Sequence, residues 1–317
     1  MSPNSWICLH PSNATQTTVS LDNRGLAYGD GFFTTMGVID GQILWFDYHQ
    51  QRLVSHATAL QLQLDSQLLL AMLKIHAKQL QQGMLKLIIT RAEQEVRGYG
   101  YTPNIGGGSA CEIWLKSSPM AITTARSLPL ADGQFIPLQP TASAICLSSQ
   151  IACLPPTLAG LKSLNRLDNV LASGELQAIK AKTLADTIKP SIAEGLLRDI
   201  SGHWVEGTMS NVFYQLVEAP VAKSSNRPHS QNNSNSNYLT QGQWYTPSMA
   251  QSGVAGVMRQ VIIDTLSTSN NPVIIRSLQD EDLPHLSQLF FCNALRGIMP
   301  MSSLRLLSDE VVSFEAI

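Results

Sequence analysis

Apolar residues in the first third of the chain recur with two different periods. Short runs of strand-forming residues at 84–90 (MLKLIIT) and 110–116 (ACEIWLK) predict β-strands. Helical spacing of apolar residues predicts one helix from Leu53 to Leu64 and a second from Leu69 to Leu80, with Gly83 as its C-terminal cap. This mixture of periods predicts an α+β fold.

Beyond residue 130 the pattern changes. A helix is predicted from Leu164 to Ala181, with apolar residues along one side, and another helix at 255–267. Between them, Ser201-Gly202 marks the turn of a hairpin. The apolar positions of the first of these helices are Leu164, Leu167, Val170, Leu171 and Ala178.

The chain divides into segments of different composition. We expect a smaller N-terminal α+β domain at 1–118, a linker at 119–130 where Pro and Gly interrupt the pattern, and a larger C-terminal domain at 131–317. The tract 222–243 is rich in Ser, Asn and Gln and has almost nothing to bury. It is predicted to be a disordered surface insertion.

Composition narrows the classes of function. The chain has 21 basic and 23 acidic residues, so it offers no broad attraction for nucleic acid or an anionic membrane. Its five cysteines form no C-x-x-C pair, which gives no indication of a metal site. No apolar run approaches membrane-spanning length and the N-terminus does not resemble a signal peptide, so we expect a cytoplasmic protein.

Lys162 is the first candidate for chemistry. It lies in GLKSLNRLDN (160–169), at the start of the predicted helix and next to Leu161. Apolar neighbours lower the pKa of an amine and leave it nucleophilic. Most lysines are nevertheless solvated surface charges, so this context alone does not identify a catalytic residue.

Six motifs follow one another along the chain. They are RGLAYGDGFFTTMGVIDG (24–41), H-x-x-R-L (49–53), GLKSLNRLDN (160–169), VEGTMSN (205–211), YTPSMAQSGVAGVMR (245–259) and FCNAL (291–295). In this order they resemble the motifs of the fold-type IV pyridoxal 5′-phosphate (PLP) enzymes, the group that contains branched-chain and D-amino-acid aminotransferases and 4-amino-4-deoxychorismate lyases. Within this group, GDGFFTT, K-S-L-N-R-L and C-N-A-L are most similar to the lyases.

The resemblance implies a two-domain α+β fold with PLP at the domain interface, and it implies roles for individual residues. Lys162 matches the lysine that forms a Schiff base with PLP, and Glu206 matches the acid that pairs with the pyridine nitrogen. Asn165 is a candidate contact for the phenolic oxygen of PLP. Without the resemblance, Glu206 would be interpreted as a solvated charge beside a turn.

The phosphate of PLP needs donors and positive charge. Arg52 matches the phosphate-contacting arginine, and Asn293 matches a further polar contact. Gly256, Val257 and Met258 open a predicted helix, whose free N–H groups and positive dipole end suit an anion. An arginine on an amphipathic helix is otherwise usually a surface residue.

The lyase resemblance further implies that the enzyme converts 4-amino-4-deoxychorismate to 4-aminobenzoate and pyruvate, in folate biosynthesis. Thr35 matches the hydroxyl associated with lyase action, although a packed strand threonine is an equal alternative. Arg97, and less strongly Arg91, is a candidate for binding the substrate carboxylates. The resemblance also implies a homodimer in which a neighbouring subunit completes the site.

Two other functions stay open. One is a D-amino-acid or branched-chain amino-acid aminotransferase with the same cofactor and lysine. The other is a non-catalytic PLP-binding protein on the same fold, since a fold does not guarantee a function. The presence of Lys162, Glu206 and Arg52 together argues against the latter.

Overall fold

The strands of the chain form two sheets. The computed structural model describes residues 6–10, 18–103, 109–122, 126–130, 135–183, 191–217 and 238–314. All strands up to residue 119 belong to the first sheet, and all described strands from residue 126 onward belong to the second. Helices accompany both sheets, which confirms the predicted α+β class.

The first sheet has six strands, and its main path runs in the order β1-β6-β5-β2-β3, with β4 beside β6. Helices α2 and α3 cover one of its faces, where Leu85, Leu87 and Ile89 of β5 are fully buried. The elements of this part are β1 (Trp6–His10), α1 (Arg24–Tyr28), β2 (Gly31–Ile39), β3 (Gln42–Ile43), α2 (Phe46–Ala59), β4 (Leu62–Gln63), α3 (Ser66–Leu80), β5 (Gly83–Arg91) and β6 (Ser109–Pro119).

Strands β5 and β6 confirm the two predicted strands, whereas the helix ends differ from prediction. The helix predicted to reach Leu64 ends at Ala59, because the chain turns into the short strand β4. Helix α3 ends at Leu80 and is capped by Gln81, not by Gly83. Gly83 opens β5 at φ 149°, where a Cβ atom would overlap the carbonyl oxygen of Ser118. The sheet therefore requires this glycine.

The second sheet has eleven strands, with the path β14-β13-β12-β11-β10-β9-β16-β8-β7 and with β15 and β17 attached to it. The Ser201-Gly202 turn joins β10 to β11 as predicted. The elements are β7 (Arg126–Pro129), β8 (Phe135–Leu138), β9 (Ala142–Ile151), α4 (Leu167–Thr183), β10 (Ile192–Asp199), β11 (Trp204–Gly207), β12 (Asn211–Leu216), β13 (Tyr245–Thr246), α5 (Val257–Leu266), β14 (Ile274–Ile275), β15 (Leu286–Asn293), β16 (Gly297–Arg305) and β17 (Val311–Ser313), with 3-10 turns at Tyr238–Thr240 and Asp280–His285.

Helix α4 buries a different side from the one predicted. Leu167, Val170 and Leu171 are more than half exposed, while Ala172 and Leu176 pack against the sheet. The carboxylate of Glu175 accepts hydrogen bonds from the Ser148 and Ser149 hydroxyls of β9 and fixes this rotation of the helix. The predicted helix at 255–267 is confirmed as α5, which buries Val257, Met258, Val261 and Ile262.

Residues 160–164, here called the lysine segment, connect the two halves of the molecule. The Gly160 carbonyl accepts from the Ala255 N–H at 2.9 Å, just before α5. At the other end, the Lys162 carbonyl accepts from the Phe33 N–H of β2 at 3.0 Å. The lysine segment thus lies along β2 of the first sheet while it is bonded to the second half.

The expected linker and the predicted polar insertion lie partly outside the described residues. Residues 123–125 of the expected linker and residues 218–237, which contain most of the predicted polar insertion, lie outside them. The domain boundaries therefore stay a prediction. Among the described helices, none is long and apolar enough to cross a membrane.

Candidate active site

A cavity of about 520 Å³ opens between the two sheets. Side chains from β2, β5, α2, α4 and β11, together with the start of α5, line it. It brings together residues that are far apart in the sequence. The predicted site residues in its lining are Thr35, Arg52, Lys162, Glu206, Gly256, Val257 and Asn293.

Lys162 is fixed through its backbone. Its N–H donates to Nε2 of His56 at 2.9 Å, and its Nζ lies 4.7 Å from the ring centre of Phe33. Burial, together with the nearby Arg52, lowers the pKa of His56 to about 3. His56 is therefore neutral near pH 7, with Nε2 free of a proton and able to accept.

The surroundings of Lys162 favour its neutral amine. Burial lowers the pKa of Lys162 to about 8, and the positive charge of Arg52 acts in the same direction. The carboxylate of Glu206 opposes them. A larger fraction of this amine is consequently free to act as a nucleophile near neutral pH than of an ordinary lysine.

Glu206 lies on β11 and is 3% exposed. Its carboxylate accepts from the Val254 N–H at 2.8 Å and from Nδ2 of Asn169 at 3.3 Å. Burial raises the pKa of Glu206. A carboxyl group in this position can share a proton with a basic ring nitrogen inside the cavity.

Arg52 and the start of α5 form one end of the cavity. Nη2 of Arg52 donates to the Ala255 carbonyl at 2.6 Å, directly before the helix. Gly256 is the N-cap residue, and among the described residues no side chain caps this helix. The N–H groups of its first turn are therefore available to an anion. Burial lowers the pKa of Arg52 to about 10, which leaves it charged at neutral pH.

Position 256 has no room for a side chain in this arrangement. A Cβ atom on it would overlap Oδ1 of Asn211, the residue that faces Glu206 across the β11–β12 hairpin. Nδ2 of Asn211 donates to the Val254 carbonyl at 2.8 Å. The Asn211 side chain, which fixes the loop before α5, thus occupies the space that a Cβ atom of residue 256 would need.

Thr35 and Asn293 line the cavity from different sheets. Thr35 lies on β2, directly across from Lys86 of β5. Oδ1 of Asn293 accepts from the Arg296 N–H at 2.8 Å and from the Leu295 N–H at 3.1 Å. Asn293 therefore shapes the turn after β15, with its side-chain oxygen already engaged.

Four predicted site residues do not line the cavity. Nδ2 of Asn165 donates to the Gly29 carbonyl, and the side chain of Met258 is fully buried in the core behind α5. Arg91 is buried, pairs with Asp30 at 2.9 Å and donates to two carbonyls at the end of α2 and the turn after it. Arg97 is exposed in the loop after β5. Of Met258, only the backbone N–H in the first turn of α5 is left to contribute to the predicted anion site.

The cavity also contains residues that the motifs did not single out. Lys86, Arg166 and Asn169 line it, as do Phe33 and Arg296. Nε of Arg166 is buried without a hydrogen-bond partner among the described residues, and Nη2 donates to the Leu161 carbonyl. The sequence carried one usable signal, since Lys86 interrupts the apolar strand MLKLIIT at a position that faces away from the core.

This geometry fits PLP. The cavity offers an amine of lowered pKa, a buried carboxyl group for a ring nitrogen, and an arginine beside an uncapped helix start for a phosphate. The buried Nε of Arg166 lines the cavity without a partner among the described residues and could donate to an oxygen of the cofactor, whereas Asn165 lies outside the lining. When PLP is bound, it supplies an electron-withdrawing ring that stores the electron pair of a substrate carbanion.

Comparison with known proteins agrees with this fit. The sequence model of the family "Amino-transferase class IV" matches residues 31–304. The chain is 24% identical to an aminodeoxychorismate lyase of Vibrio harveyi over 290 residues, which cover 91% of this chain and 88% of that protein. It is 25% identical to a putative branched-chain-amino-acid aminotransferase of Methanocaldococcus jannaschii over 289 residues, covering 89% and 81%.

The fold is also similar to solved structures. The crystal structure of 4-amino-4-deoxychorismate lyase from Pseudomonas aeruginosa superimposes with a TM-score of 0.68 at 28% identity, covering 94% of this chain and 91% of that one. The chain belongs to the class IV aminotransferase family. It is a fold-type IV enzyme that depends on PLP, with the cofactor cavity between its two halves.

Proposed function

We propose that the enzyme is an aminodeoxychorismate lyase, which converts 4-amino-4-deoxychorismate to 4-aminobenzoate and pyruvate. The observation that carries this proposal is the position of Thr35. Its side chain lines the same cavity as Lys162, on the strand whose Phe33 N–H bonds to the Lys162 carbonyl. The similarity to lyases of Vibrio harveyi and Pseudomonas aeruginosa supports the assignment.

The residues of the chain have separate roles in this reaction. Arg52 and the N–H groups of Val257 and Met258 bind the phosphate of PLP, and Glu206 supports the protonated ring nitrogen. The amine of Lys162 attaches the cofactor and, once the substrate amine replaces it, removes the proton from the carbon that bears that amine. The electron pair left on that carbon forms a ring double bond as the C–O bond of the neighbouring carbon breaks, which makes the substrate ring aromatic. Enolpyruvate leaves with the oxygen and takes up a proton to become pyruvate.

Thr35 contributes a hydroxyl group that can both donate and accept a hydrogen bond. In the proposed reaction it positions a proton close to the reacting carbon, on the wall of the cavity formed by β2. A threonine is suited to this task because it carries no charge that would disturb Lys162. Its role distinguishes elimination from amino transfer.

The test is the reaction of the purified, PLP-loaded protein with 4-amino-4-deoxychorismate and no added 2-oxo acid. We expect 4-aminobenzoate and pyruvate in equal amounts. Thr35→Val should lower kcat at least tenfold while cofactor binding, followed by visible absorption, is unchanged. Absence of 4-aminobenzoate, together with rapid transamination of amino acids, would contradict the proposal.

An aminotransferase is the second candidate. The similarity to a putative branched-chain-amino-acid aminotransferase favours it, since cofactor chemistry up to removal of the proton is shared. An aminotransferase needs a 2-oxo acid to complete its cycle, whereas the lyase does not. Product formation without an acceptor therefore separates the two functions.

We further propose that the enzyme works as a homodimer in the cytoplasm. Arg97 is exposed outside its own cavity, so a role in carboxylate binding would have to be exerted in the cavity of a neighbouring subunit. Mixing Arg97→Ala protein with Lys162→Ala protein tests this arrangement. Exchange of subunits should restore part of the activity, because one site in the mixed dimer then has both residues.

A further inference from the structure

The cavity contains more positive charge than the cofactor uses. Its lining includes Arg52, Lys86, Lys162, Arg166 and Arg296, whereas Glu206 is the only acidic residue in the part of the lining that the structure describes. The phosphate of PLP accounts for the end with Arg52, and covalent attachment accounts for Lys162. The remaining cations indicate that the substrate brings negative charge of its own.

Lys86 is the cation whose position is defined by the sheet. Its neighbours in β5, Leu85 and Leu87, are fully buried on the opposite face, so Lys86 points into the cavity. It is directly opposite Thr35 in the antiparallel pair of β5 and β2. Side chains at such positions have Cβ atoms about 5 Å apart, so the ammonium group and the hydroxyl face the same volume.

The two lysines of the cavity share one aromatic ring. Nζ of Lys86 is 5.5 Å from the ring centre of Phe33, and Nζ of Lys162 is 4.7 Å from it. Both ammonium groups thus lie close to the same ring, and the charge of Lys86 acts on Lys162. A substrate that reacts at Lys162 can therefore extend to Lys86.

Lys86 has no carboxylate partner among the described residues. By contrast, Arg52 is bonded to the Ala255 carbonyl and Arg166 to the Leu161 carbonyl. A half-buried ammonium group has lost part of its hydration, and a carboxylate ligand compensates for that loss. Lys86 is thus the available anion-binding group closest to Thr35 in the sheet.

We propose that Lys86 binds a carboxylate of the substrate beside Thr35 and makes the enzyme selective for substrates with two carboxylates. The inference rests on the proposed function, because 4-amino-4-deoxychorismate carries one carboxylate on its ring and another on its enolpyruvyl group. A branched-chain amino acid has an apolar side chain instead, and it would leave Lys86 buried against a group that cannot accept a hydrogen bond.

Kinetics of Lys86→Met test this role against Lys116→Met as a matched control. Lys116 is the next lysine in the same cross-strand row, on β6, and does not line the cavity. We expect Lys86→Met to raise KM for 4-amino-4-deoxychorismate about 10- to 100-fold, the usual effect of losing one charged hydrogen bond. Lys86→Arg should recover much of the loss, while Lys116→Met and the visible cofactor spectrum should be unchanged.

A binding measurement gives a readout that does not depend on turnover. Chorismate carries both carboxylates but a hydroxyl in place of the amine, so it cannot replace Lys162 on the cofactor. Calorimetric titration of the PLP-loaded protein should show binding that Lys86→Met weakens at least tenfold. Equal affinities of the native and variant proteins, or no binding of chorismate to the native protein, would overturn the assignment.

The test also separates failure of this inference from failure of the proposed function. If the protein forms no 4-aminobenzoate but transaminates, the same variant is assayed with glutamate and with leucine as amino donors. Lys86→Met should then lower kcat/KM for glutamate at least tenfold and leave that for leucine unchanged. A loss of the same size with both donors would show that Lys86 does not select a second carboxylate.

Discussion

Effects of opposite direction act on the pKa of Lys162. Burial is the largest cause of the lowered pKa of Lys162, because an ammonium group loses hydration in the cavity, and the nearby cations act in the same direction. Glu206 is close enough to oppose them with its negative charge. The amine therefore reaches its reactive form without a dedicated base beside it.

The pH dependence of cofactor attachment follows from this pKa. Only the neutral amine attacks the PLP aldehyde, so the attachment rate should rise about tenfold per pH unit below about pH 8 and level off above it. An ordinary lysine would give a rate that still rises beyond pH 9. Visible absorption after adding PLP to the apo-protein, from about pH 6 to about pH 10, measures the profile. A rate that keeps rising to pH 10 would disprove the lowered pKa.

His56 offers a second prediction at this scale. Replacing it by Leu removes the acceptor for the Lys162 N–H and leaves a buried donor unpaired, which should cost about 1–3 kcal/mol in the free energy of unfolding. Cofactor attachment should also slow, because the lysine segment loses a fixed point. Urea unfolding and the absorption assay check both effects.

His56→Gln is the control for that variant, since its side-chain oxygen can still accept a hydrogen bond. It should retain more stability and a faster attachment rate than His56→Leu. Identical behaviour of the two variants would mean that the ring fills space and does not act as an acceptor.

Individual site residues differ in how far the sequence reveals them. Lys162, Glu206 and Arg52 are recognisable because each belongs to a motif whose order along the chain is preserved. Arg91 is not distinguishable from a ligand-binding arginine in the sequence, since its partner Asp30 lies 61 residues away. The alternation of β5 places Lys86 on the face away from the core, but its position opposite Thr35 depends on the register of β2 against β5, which no local pattern encodes.

At the scale of elements, the uncapped start of α5 is the proposed binding site for the phosphate of PLP. Gly256→Ala should weaken PLP binding at least tenfold, because the added methyl group must displace the Asn211 side chain that fixes the loop. Equilibrium titration with PLP measures the effect. An unchanged Kd would show that the loop adjusts without loss.

Gly174→Ala is the matched control for this substitution. Gly174 lies within α4, and a Cβ atom there would meet nothing within 4 Å. Because alanine favours a helix over glycine, this variant should gain about 0.5–1 kcal/mol in stability with PLP binding unchanged.

Some helices and strands are predicted correctly from the pattern of apolar residues, and others are not. Strands β5 and β6 follow from their runs of strand-forming residues and helix α5 from its helical spacing, because the apolar residues of these patterns are the ones that the core buries. Helix α4 does not, since the side with Leu167, Val170 and Leu171 faces solvent and the smaller residues pack on the sheet. The hydrogen bonds of Glu175 to β9, which set this rotation, join residues 26 or 27 positions apart.

For the whole molecule, cofactor loading should act on both halves at once. Lys162, Arg52 and the start of α5 line one cavity, so PLP held there as proposed would bridge the two halves. A ligand that binds only the folded state stabilises it by about 2.7 kcal/mol at one hundred times its Kd. We expect a single thermal transition that moves to higher temperature on loading. In Lys162→Ala the shift should be smaller, and two separate transitions in the loaded protein would contradict the expectation.

The lysine segment has a consequence for the integrity of the chain. A backbone cut after Met120 would separate the strands of the first sheet from everything that follows, yet the second fragment would still carry the segment that lies along β2. The two fragments should therefore elute together from a sizing column and separate only in denaturant. The segment that carries Lys162 would thus hold the two fragments together, and we expect a chain broken in two to keep its cavity assembled.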